Sequence, residues 1–72
     1  MNDQLKLRMI NFRMKRAKEL NIPTQYILSN EELDRLIETK PKTIEELRNL
    51  NILPLIKITT HGIYILKELN KE

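Results

Sequence analysis

Residues 29–50 read Ser-Asn-Glu-Glu-Leu-Asp-Arg-Leu-Ile-Glu-Thr-Lys-Pro-Lys-Thr-Ile-Glu-Glu-Leu-Arg-Asn-Leu, and one pattern occurs in them twice. A hydroxyl residue is followed three positions later by glutamate, at Ser29–Glu32 and again at Thr43–Glu46. Each pair has the spacing of a capping box. In that motif the hydroxyl accepts a backbone N–H of the first turn while the glutamate reaches back to the N-cap amide. The acids Glu31-Glu32 and Glu45-Glu46 also fall where a helix dipole favours negative charge. Leu33, Leu36 and Ile37 give the first helix its apolar stripe, and Pro41 stops it. Ile44, Leu47 and Leu50 face the second helix inward.

Upstream, the segment from about Asp3 to Leu20 places Leu5, Met9 and Phe12, and also Leu7, Ile10, Met14 and Ala17, at spacings of three and four. Together they predict one broad apolar face on a long helix. Gln4, Arg8, Asn11, Lys15 and Lys18 cluster on the opposite side. Lys6, Arg13 and Arg16 fall at the margins of the apolar arc, with packed stems and charged heads in water. The helix is basic enough to resemble a membrane-surface helix, but a core-packing helix with a solvated face accounts for the same pattern. Pro23 ends it within Asn21-Ile22-Pro23-Thr24, and Tyr26-Ile27-Leu28 is an apolar connector laid over the core.

Downstream, two readings compete. Pro54 can begin a short helix carrying Leu55, Ile56 and Ile58. The run Ile56-Lys57-Ile58-Thr59-Thr60-His61-Gly62-Ile63-Tyr64-Ile65 also alternates and is β-branched, like two strands turning at His61-Gly62. Local propensity favours the hairpin, which would make a winged-helix-like domain with a C-terminal β-hairpin. Past Gly62, Ile63, Leu66 and Leu69 recover helical spacing, with Lys67, Glu68, Lys71 and Glu72 outside.

Seventy-two residues suit one domain, here 1–72, with a limited aliphatic core. There are no cysteines, so no disulfide framework or thiolate metal site is available, and an intracellular setting (cytoplasmic or nucleoid-associated) is expected. No apolar run reaches the length of a membrane span, and no membrane partner is expected. The net charge of +3 is polarised. Residues 1–22 hold six basic side chains against Asp3 and Glu19, whereas residues 31–50 hold six acids against four bases. Such an asymmetry points weakly to nucleic acid.

The order Ile22-Pro23, Leu33, Pro41-x-Thr43, Glu46-Leu47, Leu50, Lys57-Ile58, Gly62 and Leu66 resembles the Helicase-and-RNase-D-C-terminal family. Its pattern runs V-P-P-Y, a leucine ten residues after the proline, P-x-T-x-x-E-[LM], then G-V-G-x-x-K-[LI]-x-x-[YF]-G. The two run ungapped over about 48 residues, Ile22 to Leu69, and Ala17 falls at the family's small residue in the first helix. The resemblance implies an all-α bundle of about five short helices, with Pro54 to Thr60 helical rather than strand. It also implies an accessory role in helicases, ribonuclease D or related assemblies, engaging nucleic acid or positioning partner domains; a related fold serves protein contacts in RNA-polymerase subunits.

Three departures bear on that role. The family's two turn glycines, where bare amides approach phosphate, are Ile52 and Pro54 here. Proline has no amide hydrogen and isoleucine obstructs close approach, which weakens phosphate binding through this turn. The family tyrosine aligns with Gln25, one residue before Tyr26, and His61 replaces an aromatic.

No catalytic constellation emerges, so the chain is read as a non-enzyme without cofactor, metal or small-molecule substrate. Ser29 is used as a cap, and the carboxylate pairs serve helix dipoles. His61 has no nearby ligand partners and fills an aromatic position. The candidates for nucleic-acid contact are Arg8, Lys15 and Lys18 on the first helix, with Lys40, Lys42 and Lys57 at helix ends. With one phenylalanine and two tyrosines, stacking on bases is a poor prospect. Binding is expected to be weak, salt-dependent and largely indifferent to sequence. The competing expectation is a protein-interaction domain that has lost the phosphate turn. It rests on the apolar run Ile52-Leu53-Pro54-Leu55-Ile56, with Leu53, Leu55 and Tyr26 as contact candidates.

Overall fold

A computed structural model describes residues 3–71; Glu72, read above as a solvent-facing charge, lies outside them. The chain forms α1 (Asp3–Leu20), a 3-10 turn (Thr24–Tyr26), α2 (Asn30–Thr39), α3 (Ile44–Asn49) and α4 (Leu55–Leu69), with no strand among the described residues. The all-α reading holds and the winged-helix alternative does not. The expected five short helices are four helices and one 3-10 turn, because the segments on either side of Gly62 are a single helix of 15 residues.

That helix is where local propensity fails. Its buried residues are Ile58, His61, Gly62, Ile65, Leu66 and Leu69, a helical repeat that outweighs the β-branched alternation around them. Pro54 sits one residue outside, as N-cap in extended conformation (φ −59°, ψ 149°). Gly62 is no hairpin turn. A Cβ there would meet Ile44 Cδ1 of α3 at 3.0 Å, so the missing side chain lets α3 and α4 approach closely.

The core gathers Met9 from α1, Ile27 and Leu28 from the connector, Leu33 and Leu36 from α2, Leu47 from α3, and Ile65 and Leu69 from α4, all at most 2% exposed. Pro41 is fully buried as well, so the α2–α3 turn is pinned from inside. The apolar face of α1 is narrower than expected. Leu7 and Met14 are more than half exposed. At 3.6 residues per turn they lie about 140–160° from Met9, beyond the sector that α2, the 3-10 turn and α4 cover. Leu50 likewise ends up exposed instead of facing inward.

Helix ends follow a common grammar. Asn21 (φ 58°), Lys40 (φ 47°) and Asn51 (φ 55°) adopt left-handed conformation just after α1, α2 and α3. After α1, Ile22 N–H donates to Ala17 O and Asn21 N–H to Lys18 O, a Schellman pair that closes the helix before Pro23. At the start of α2 the capping box is complete: Glu32 N–H donates to Ser29 Oγ (3.1 Å) and Ser29 N–H to Glu32 Oε1 (2.9 Å). At α3 only half of it forms. Glu46 N–H donates to Thr43 Oγ1, but the Glu46 carboxylate accepts from Lys42 N–H, one residue earlier than expected.

Glu32 Oε1 has a second task. It pairs with Lys57 Nζ of α4 at 2.6 Å, and both side chains are 16% exposed. Lys57 Nζ also donates to Gln25 O in the 3-10 turn (2.9 Å). Three elements therefore meet at one ion pair, α2 and α4 through its two charged groups and the 3-10 turn through the Lys57 ammonium. Glu32→Ala removes the side-chain half of the capping box and the pair, and is expected to cost about 2–4 kcal/mol. In urea melts of Glu32→Ala, Lys57→Ala and the double variant, the double should lose clearly less than the two singles together. Additive losses would mean the pair is not coupled.

Candidate nucleic-acid interface

The basic side chains fall into two groups, those that hold the fold together and those left open. Arg8 belongs to the first. Read as a solvated residue of α1, it instead reaches the end of α4, where Nη2 donates to Glu68 O (2.9 Å) and Nε pairs with the Glu68 carboxylate (3.2 Å). Its charge thereby offsets the negative end of α4, and Glu68 is half-buried rather than outside. Lys57 is taken by Glu32 and Gln25. Arg13 Nη1 donates to Leu28 O and Asn30 Oδ1, fastening the connector to α1. Arg16 lies over the Tyr64 ring, 4.4 Å from its centroid.

Arg48, Lys67 and Lys71 are exposed and unpaired among the described residues. Beside them, the second group holds four candidates read from the sequence, Lys15 and Lys18 on α1 and Lys40 and Lys42 in the α2–α3 turn, all exposed. No carboxylate pairs with any of the four among the described residues. Lys40 and Lys42 line a cleft of about 500 Å³ together with Asn70 and Lys71. Sequence reasoning missed Lys71 as a site residue. The signal lies in a tertiary bond: Asn70 Nδ2 donates to Pro41 O (3.0 Å), drawing the end of α4 onto the turn 29 residues away in sequence.

The turn before α4 presents few donors. Leu53 is 7% exposed and Ile52 is partly buried against the core. Leu53 is therefore a core residue rather than a contact candidate. Tyr26 is 59% and Leu55 64% exposed. Leu55, Thr59 and Ile63 line a shallow apolar groove against Ile44 and Arg48 of α3.

No group of three His, Asp or Glu side chains gathers into a metal-binding cluster among the described residues. His61 is 5% exposed, and its Nδ1 has no hydrogen-bond partner. Burial pushes its pKa below 6.5, and the nearby charges of Arg16 and Lys57 add to the effect. A neutral His61 is thus favoured in the folded state, while the unfolded chain takes up a proton near pH 6.5. Stability is full above that pH and falls as pH drops below it, down to the folded-state pKa. Thermal melts between pH 7.5 and 5 should show this loss, and His61→Phe should flatten it. An unchanged slope in that variant would assign the effect to other groups.

Four helices and one 3-10 turn, with no strand among the described residues, define a small all-helical module. A protein-family model of the HRDC domain matches residues 4–69, and the chain belongs to that family. The HRDC domain is a small accessory domain, nucleic-acid-associated in general and not catalytic by itself. No curated protein and no solved structure matches the chain. No helix among the described residues is long and apolar enough to cross a membrane.

Proposed function

We propose that this domain is an intracellular accessory unit that adds weak, largely sequence-independent contacts with the nucleic-acid backbone to a helicase, nuclease or polymerase assembly. The observation that carries the reading is the set Lys15, Lys18, Lys40 and Lys42, exposed and without carboxylate partners among the described residues. Arg8 and Lys57 drop out as principal contacts because their heads are spent on Glu68, Glu32 and Gln25. Pro54 has no amide to offer phosphate, so affinity comes from side-chain charge. Four lysines releasing counterions give a slope of log K against log salt of roughly −3, with micromolar or weaker binding at physiological salt.

Fluorescence anisotropy with single-stranded and duplex oligonucleotides at two salt concentrations tests this. Lys15→Gln with Lys18→Gln should lower affinity for all sequences alike and reduce the slope by roughly 1.5. Absence of binding at low salt would overturn the proposal.

A second reading, docking of a protein partner, draws on the apolar outer face of α4. Leu55, Ile56 and Ile63 are 64%, 74% and 61% exposed on one helix. Leu55→Asp and Ile63→Asp should leave the circular dichroism spectrum and Tm nearly unchanged while abolishing partner capture in a pull-down. Leu53→Asp buries a charge and should unfold the domain, so it cannot serve in that role. Undiminished capture by both surface variants would remove the reading.

A further inference from the structure

We propose that the cleft formed by Lys40, Lys42, Asn70 and Lys71 binds the terminal phosphate monoester of a nucleic-acid strand; the inference rests on the nucleic-acid reading above and deepens it. Three lysines line a single cleft of about 500 Å³, and no carboxylate among the described residues lines it. Two helix ends, those of α2 and α4, close on the same place, each contributing roughly half a negative charge. Against these, the three lysine charges leave the cleft net positive, with Glu46 Oε1 held on the Lys42 amide at 3.1 Å. A backbone diester carries one negative charge, whereas a terminal monoester carries nearly two near pH 7. Lysine ammoniums suit such a group, since they are compact point charges with freely rotating donors.

A second observation concerns Lys40 itself. Of the three residues in left-handed conformation, two are asparagine, which tolerates it; the third is Lys40 at φ 47°, ψ 61°. A lysine there is strained relative to glycine, which has no Cβ to crowd the carbonyl. Its charge is not used within the fold, because no carboxylate among the described residues pairs with it. Costly backbone geometry beside an unpaired charge fits a ligand-facing residue. The cleft is also held in shape without the lysines. Pro41 is buried beneath it, and Asn70 Nδ2 bridges Pro41 O and Leu66 O at 3.0 and 3.1 Å.

Two measurements on the whole chain test the assignment. In 15N–1H spectra, inorganic phosphate added at constant ionic strength should shift the amides of residues 40, 42, 70 and 71 saturably, and chloride should not. By anisotropy, a 5′- or 3′-phosphorylated oligonucleotide should bind about fivefold tighter than its hydroxyl-ended twin. Lys42→Gln and Lys71→Gln should each erase that preference. Lys40→Gly should also erase it while raising Tm, which separates loss of ligand contact from loss of fold. Equal affinity for phosphorylated and hydroxyl ends overturns the inference, and binding that still weakens with salt leaves the backbone reading standing. Failure of every oligonucleotide to bind overturns both. A phosphoserine peptide binding more tightly than the phosphorylated oligonucleotide overturns it in favour of a protein ligand.

Discussion

One oxygen of Glu32 accepts a hydrogen bond from the Ser29 amide and an ion pair from Lys57, which in turn holds the Gln25 carbonyl. The start of α2, the 3-10 turn and the first turns of α4 are therefore tied to one another through a single half-buried ion pair. Most of the remaining geometry follows. With α4 placed, its inner face delivers Ile58, Ile65 and Leu69 to the core, and its far end reaches both Arg8 of α1 and the α2–α3 turn. A buried pair contributes little to net stability relative to apolar substitutes, but removing one partner strands the other.

What the sequence reveals and conceals divides along the range of the interactions. The Ser29–Glu32 box, the stop at Pro41 and the start of α3 depend on residues within four positions of one another, and these were readable. The Thr43 box was readable only in half, because Glu46 has two amides within reach and takes that of Lys42. The α4 segment misleads by propensity: Ile56 to Ile65 alternates like a strand, and only the packing of Gly62 against Ile44 and of Ile65 in the core selects the helix. The family pattern carried that information where local chemistry did not. Arg8 and Lys71 could not be assigned from sequence, since the roles of both arise from contacts with residues 29 or more positions away or from the cleft those contacts create.

Charge is distributed with the same logic. Basic residues placed opposite helix ends or carboxylates (Arg8, Lys57) and those laid on polar or aromatic groups (Arg13, Arg16) are parts of the scaffold. Exposed ion pairs such as Lys6–Asp34 and Arg35–Glu31 add little. The lysines left over set the outward character of the domain. A modest net charge of +3 thus understates the positive potential available to a ligand, because five of the ten acids are matched within ion pairs of the fold.

The left-handed helix ends have a consequence for the chain before it folds. Glycine would fit all three positions, yet the sequence spends its only glycine inside α4. Its turns use asparagine, lysine and proline instead. An unfolded chain of this kind samples fewer backbone states than one with glycine-rich loops, so less conformational entropy is surrendered on folding. At the asparagines, which tolerate left-handed backbone, that gain is kept, whereas at Lys40 the strain outweighs it. For a domain whose core is bounded by 72 residues, part of the native state's advantage thus comes from a restricted unfolded ensemble rather than from contacts in the folded one.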